Sequence, residues 1–322
     1  MKQPPIYMPS GIDCENPDLL PHWQALLDRF AEGKMSWEQF LQGLPAVSHP
    51  ALRLASSKDG QTLLHLAVLS NQIDIASSLS LIYPHLKLRR NTFGLTPLEL
   101  SELLPRKEIA SLLGRAPLPS FLDQPNVTIH DPEKFQLSET LEFLAQPLFE
   151  TEAILDEILR RAKKAKMEDA IPPERIWMGV YYDNEIHKGV HPKVSIRHID
   201  DEVGFGVFAD QRIPSCTLAG EYTGALKERN KNELKDKKYC VRYTVWEMGK
   251  RQFIIDAENK GNFTRFINHS AKPNLGLQSV YWRGLPRMIF VALKEIPEGA
   301  QLTFDYGTFF WKDCKQTPVL FE

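Results

Sequence analysis

Arg265-Phe266-Ile267-Asn268-His269-Ser270, running on to Pro273-Asn274, and Leu302-Thr303-Phe304-Asp305-Tyr306-Gly307 are the two stretches whose reading decides the fold of this chain. Two shorter signatures precede them, Gly204-Phe205-Gly206 and Tyr222-Thr223-Gly224. Each is weak alone, since a single Gly-x-Gly reads as a turn and a single Asn-His-Ser as a polar loop. All four in this order within residues 204–307, around a nearly unbroken Arg-Phe-Ile-Asn-His-Ser core, form a pattern that chance does not account for.

Outward from these motifs, short β-like runs punctuated by Gly and Pro cover 194–199, 206–209, 218–222, 239–246, 253–256, 288–293 and 302–304. Pattern alone says only that this part is β-rich.

The four signatures together resemble the SET-domain protein lysine methyltransferases. The resemblance implies an α+β protein whose residues 190–322 form a β-rich SET fold. In that family small curled sheets surround a knot-like C-terminal crossing. It also implies S-adenosyl-L-methionine as cofactor and a protein lysine, on a histone or another basic protein, as acceptor. Methyl transfer to an amine is an in-line displacement that needs alignment more than acid–base power. A lysine amine, with an ordinary pKa of about 10.4, is favoured as the neutral nucleophile by a dry aromatic channel beside a sulfonium.

Through the resemblance, individual residues acquire roles. Gly204, Phe205 and Gly206 form the loop that cradles the cofactor, glycine allowing close backbone approach. No helix N-terminus with Lys or Ser follows, which argues against a phosphate loop. Asn268 and His269 stand at the cofactor, and His269 is also a candidate for bonding backbone near Tyr306. Tyr306 is the catalytic candidate and also stands at the cofactor, its hydroxyl orienting the amine and holding the methyl through weak C–H···O contacts. Tyr222 reads as the second channel tyrosine. Tyr239 lies against the cofactor in the family, a plain strand aromatic being the other reading, and Arg265 reads as structural. Phe304, two positions before the catalytic tyrosine, sets how many methyl groups fit, and phenylalanine there permits di- or trimethyllysine. Leu277 stands where some relatives carry a restricting tyrosine.

Many histone-directed members place Cys directly after Asn-His-Ser and a Cys-x-Cys cluster past the last motif, jointly holding zinc. Here the positions read Ala271 and a single Cys314, so no metal is expected. Phe309-Phe310-Trp311 offers aromatic area instead, Phe310 towards the lysine channel and Trp311 towards the cofactor, with core packing as the other reading. Glu221, Glu228, Glu233 and Glu247, around the insert that shapes the family's peptide groove, are candidates for attracting a basic peptide.

Towards the N-terminus, Trp23, Leu26, Leu27, Phe30, Trp37, Phe40 and Leu41 fall at helical spacing and predict two short helices over 21–44. Residues 59–67 are echoed by 93–101, with Gly60, Thr62 and Ile75 recurring 34 residues later as Gly94, Thr96 and Ile109. This period and the Gly-x-Thr-Pro-Leu opening resemble the ankyrin repeat, departing from it at Leu63 and Glu99. The helices of 21–44 are then candidates for a cap, giving a helical domain over 1–115 that can bind a protein. Residues 116–189 read as a Pro-rich linker followed by a helical pre-SET region. One helix is expected from an N-cap at Ser138, and another from Thr151 to Lys166, ended by Pro172-Pro173. The basic run 160–166 reads as the solvated end of that second helix.

With 322 residues, 43% hydrophobic and 25% charged, the chain suits two soluble globular domains. A formal charge of -2 gives no global reason to bind nucleic acid, so direct DNA contact is disfavoured. The four cysteines are scattered and read as reduced thiols. No apolar h-region opens the chain and no run is long enough to span a bilayer, so an intracellular, soluble protein without membrane contact is expected. An ankyrin-like region joined to a zinc-free SET-like domain also resembles proteins that bacteria living inside other cells deliver to their hosts. A catalytically silent scaffold is the competing functional reading, against which stand the intact Tyr222, Asn268, His269 and Tyr306.

Overall fold

The computed structural model describes residues 19–43, 54–138, 140–229, 239–246 and 251–307. The chain divides into two compact units, Met1–Pro117 and Leu118–Glu322.

The first unit is helical: α1 (Leu19–Ala31), α2 (Trp37–Gly43), α3 (Leu63–Leu69), α4 (Ile73–Ile82), α5 (Pro97–Leu103) and α6 (Lys107–Leu113). The apolar faces of α1 and α2 bury Trp23, Leu27 and Phe40, and Phe30 stacks on Phe40 at 4.5 Å between centroids. The period of 34 seen in the sequence is also a period of hydrogen bonds. Ser57 N–H bonds the Gln61 carbonyl at 2.9 Å, and Asn91 N–H bonds the Leu95 carbonyl at 3.0 Å. Thr62 and Thr96 cap α3 and α5, each within a reciprocal capping box. In the first box the partner is His65, whose Nδ1 accepts from the Thr62 N–H at 3.2 Å while Nε2 faces the Leu95 carbonyl at 3.0 Å. One imidazole thereby closes one helix–turn–helix pair and ties it to the next.

Among its described residues the second unit carries the α-helices α7 (Pro132–Ser138), α8 (Glu152–Met167), α9 (Pro173–Tyr181) and α10 (Asp183–Lys188). Its early strands are β1 (Val127–Ile129), β2 (Glu142–Phe143), β3 (Leu148–Phe149), β4 (Val194–Asp200) and β5 (Gly204–Ala209). Then come β6 (Leu218–Glu221), β7 (Ala225–Glu228), β8 (Cys240–Tyr243), β9 (Phe253–Asp256) and β10 (Lys260–Gly261). The last are β11 (Asn268–His269), β12 (Leu275–Trp282), β13 (Leu285–Ala292) and β14 (Thr303–Phe304). They assemble into small sheets, β1-β4-β5, β10-β2, β3-β7-β9-β8 and a central β11-β14-β12-β13-β6. The central sheet sets the register that matters below: Leu277 pairs with Phe290, and Phe290 with Gly220.

Four expectations are corrected here. Residues 118–138 are no free linker: β1 pairs with β4, and the Phe121 and Phe135 rings enter an aromatic cluster with Phe205 and Phe266, Phe135 lying 5.1 Å from Phe205. Their apolar area is what fastens the stretch to the second unit. Ser138 ends α7 instead of opening a helix, the chain continuing to β2. Pro172-Pro173 does not end α8, which stops at Met167; Pro173 takes the first turn of α9, where its missing N–H costs nothing. Thr151 caps α8 as expected, its hydroxyl accepting from the Ile154 N–H. The basic run is only partly solvated, because Arg161 lies over the Phe253 ring and bonds the Arg251 carbonyl at 2.9 Å. Among the described residues no helix is long and apolar enough to cross a membrane, and Cys216 is an exposed free cysteine.

Candidate active site

Tyr222 follows directly on β6, at the edge of the central sheet, where its N–H bonds the Met288 carbonyl at 2.8 Å. Its phenol donates to the Tyr239 carbonyl at 2.8 Å. Gly224 explains the spacing of the Tyr-x-Gly signature, because a Cβ there would lie 2.5 Å from the Asp256 carbonyl oxygen of the neighbouring β9. Only glycine lets the two backbones approach so closely just after the tyrosine.

Tyr306 arrives from the other end of the same sheet. The parallel pairing of β11 with β14 sets Asn268 opposite Thr303 and His269 opposite Phe304, bringing the two long signatures side by side. His269 Nδ1 accepts the Tyr306 N–H at 3.2 Å, which requires an unprotonated Nδ1. The Tyr306 phenol donates to the Ile267 carbonyl at 3.1 Å. Four rings then form a continuous row: Tyr222 to Phe290 at 6.2 Å, Phe290 to Phe304 at 4.9 Å and Phe304 to Tyr306 at 4.7 Å between centroids.

Burial raises the pKa of both phenols. For Tyr222, Cys240 and Tyr306 add to the desolvation while Arg265 partly offsets it; for Tyr306, Tyr239 adds to it. Both therefore stay neutral at ordinary pH, with their hydrogens donated to carbonyls. Tyr239 belongs to the same group, its ring under the Arg265 guanidinium at 3.7 Å.

On the Gly-x-Gly side, the Asn268 amide donates to the Phe205 carbonyl at 3.0 Å. A Cβ on Gly206 would lie 2.7 Å from Ile199, 2.8 Å from Gln301 Nε2 and 3.2 Å from Asn268 Nδ2, so these side chains meet over bare backbone. Gln301 Nε2 is buried with no hydrogen-bond partner among the described residues. The space over Gly206 is filled by protein side chains, which is why glycine is required there; the unanswered Gln301 donor suits a neighbouring group that brings an acceptor. Phe205 contributes backbone alone, its ring being buried against Phe135, Phe266 and His198.

Leu277 faces Phe290 across the β12–β13 pair, next to Phe304, which pairs through β14 with Leu275. Glu221 is no attractor of basic peptides, because it is buried and held by both arms of Arg287, Nη2 at 2.6 Å. Glu228 is engaged by Arg251 at 2.7 Å. Glu233, Glu247, Phe309, Phe310, Trp311 and Cys314 lie outside the described residues. Sequence reading missed Phe290 and the carbonyls of Ile267 and Tyr239; the apolar run from Met288 marked a strand, and nothing local marked which of its residues would reach the site.

Residues 204–307 match the family described as SET domain. Over 120 residues the chain is 36% identical to histone-lysine N-methyltransferase SETD2 of Mus musculus, covering 34% of this chain and 5% of that protein. It is 31% identical over 130 residues to histone-lysine N-methyltransferase SUV39H1 of Xenopus laevis, covering 38% and 31%. A further match is histone-lysine N-methyltransferase EHMT1 of Mus musculus, 31% over 130 residues, covering 39% and 10%. The chain thus spans between 5% and 31% of the length of these relatives. SET-domain lysine methyltransferases use S-adenosyl-L-methionine as methyl donor. The C-terminal unit of this chain, mixed in helices and sheets, contains a SET domain over residues 204–307.

Proposed function

We propose that this chain is an S-adenosyl-L-methionine-dependent protein-lysine N-methyltransferase acting on a histone or another basic protein. The observation that carries the reading is the meeting of Tyr222, Tyr306, Asn268 and His269, drawn from separate motifs, around one row of rings beside a bare glycine loop.

When bound, the cofactor supplies a methyl group on a cationic sulfur; the lysine lone pair forms the new C–N bond while the pair of the breaking S–C bond stays on sulfur. The Gly204–Gly206 backbone, Asn268, the His269 segment and Gln301 are the groups that would hold it. Tyr222 and Tyr306 act as neutral phenols: with their hydrogens on the carbonyls of Tyr239 and Ile267, they turn lone pairs to the amine and the methyl hydrogens. Neither removes the ammonium proton, which is lost to solvent before the amine enters these apolar surroundings. His269 works through Tyr306, fixing its backbone N–H.

Finer elements of the proposal have separate supports. Phe304 beside Tyr306 leaves room for di- and trimethyllysine. Ala271, in place of a thiolate after Asn-His-Ser, supports a zinc-free domain. The parallel β11–β14 pair supports the knot-like crossing. The repeated caps at Thr62 and Thr96 support an ankyrin-like first unit that recruits a protein. That the relatives are histone-lysine N-methyltransferases supports a histone substrate.

The test is incubation with methyl-labelled S-adenosylmethionine, mixed histones and cell lysate. Label on lysine is the expected result. Cofactor binding without transfer to any protein would replace the enzyme with a scaffold.

A further inference from the structure

Phe304 is held by its neighbours, and what stands behind it is one residue of the central sheet. Phe290 on β13 is fully buried, with its ring edge-on to Phe304 at 4.9 Å and an interplanar angle of 71°. The same ring lies 6.2 Å from Tyr222 at 64°. Its cross-strand partners are unequal in size, Leu277 on one side and Gly220 on the other. A side chain at Gly220 would collide with Thr264 and Phe263, at 2.8 and 2.9 Å, so that flank stays bare and the bulk is supplied by Phe290 itself. Phe290 thus touches both the tyrosine at one end of the row and the ring before the other tyrosine.

We propose that Phe290 is a specificity-determining residue of the proposed methyl transfer: as the wall behind Phe304, it sets how far that ring can retreat and therefore how many methyl groups the amine can carry. The inference rests on the methyltransferase reading. The physical reason is that close-packed interiors pass a change of volume to the next side chain instead of absorbing it. With Phe290 intact, position 304 is pinned and a hydroxyl added there must project towards the amine. With a smaller residue at 290, the ring at 304 moves back into the freed space and the end of the channel lengthens. Phe290 acts through Phe304, as a positioning residue.

The experiment follows the distribution of mono-, di- and trimethyllysine by mass spectrometry on a lysine peptide taken from the best-labelled protein. It compares the wild type, Phe304→Tyr, Phe290→Leu and the double variant, with Phe290→Met as a second, volume-conserving change and circular dichroism as the check on folding. Phe304→Tyr is expected to stop at monomethyllysine. Adding Phe290→Leu is expected to restore at least a tenfold higher share of higher methylation, and Phe290→Met a smaller share. A merely structural role would lower the rate without changing the distribution. Identical distributions in folded single and double variants would overturn the inference while leaving the methyltransferase reading intact. No transfer by the wild type would overturn both.

Discussion

The two units use buried polar groups for opposite ends. In the first unit the buried His65, Thr62 and Asn91 bond backbone groups a few residues away or one repeat away, closing turns and helix ends. In the second, Tyr222, Tyr306 and Asn268 also bond backbone, but to carbonyls that belong to other motifs of the chain. Bonds that close helix ends and join like repeats make a scaffold; bonds that tie separate motifs to one place make a site. Substitutions in the first unit should therefore change stability and leave transfer per folded molecule alone, while substitutions in the second should do the reverse.

The largest expected effect is on turnover. Tyr306→Phe removes one oriented hydroxyl and should lower kcat by about 100- to 1000-fold, while a melt shifts little because the lost bond to Ile267 is worth roughly 1 kcal/mol. Equal turnover would break the contrast at its strongest point.

Next comes acid sensitivity of the first unit. Burial pushes the His65 imidazole down from 6.5 to about 4, the bond to Leu95 partly opposing. The fold favours the neutral ring, whose Nδ1 must accept from Thr62. Its contribution, roughly 3 kcal/mol, is complete above the unfolded value of about 6.5 and is lost as pH falls towards 4. Thermal melts of the wild type should show this fall, and His65→Gln should flatten it. An unchanged slope would show that the acid loss arises elsewhere.

Gly206→Ala should weaken binding of the cofactor by roughly tenfold, the added methyl forcing aside Ile199, Gln301 and Asn268 at a cost of about 1–3 kcal/mol. Titration calorimetry with S-adenosylmethionine reads this directly, and wild-type affinity would place the cofactor elsewhere. The smallest effect is Thr96→Ala, which removes the cap of α5 and should cost the first unit about 1 kcal/mol with no change in turnover.

Much of the first unit was legible because its signals are local. The threonine at each helix start, the glycine two residues before it and the 34-residue echo all act within one repeat. In the second unit the strands made of β-branched or aromatic runs were visible, as over 253–256. β12 was not, because Gly276, Gln278 and Ser279 interrupt its apolar pattern. Its pairing is dictated by the two-residue turn Arg283-Gly284, both at positive φ. β1, β2 and β3 were invisible for a different reason: each is two or three residues long and exists only because a distant strand lies alongside. The motif residues of the site were readable as a set. The groups that seat them, the carbonyls of Ile267 and Tyr239 and the ring of Phe290, carry no local mark and emerge only when β11, β13 and β14 are brought together.

The central claim is that the Tyr306 hydroxyl acts in the transfer and not in holding the cofactor. Single-turnover transfer of labelled methyl to lysine, measured for the wild type and Tyr306→Phe at matched cofactor occupancy, tests it most directly. The account predicts label on lysine with the wild type, and nearly none with a folded, cofactor-loaded Tyr306→Phe. Equal transfer by both proteins would contradict it.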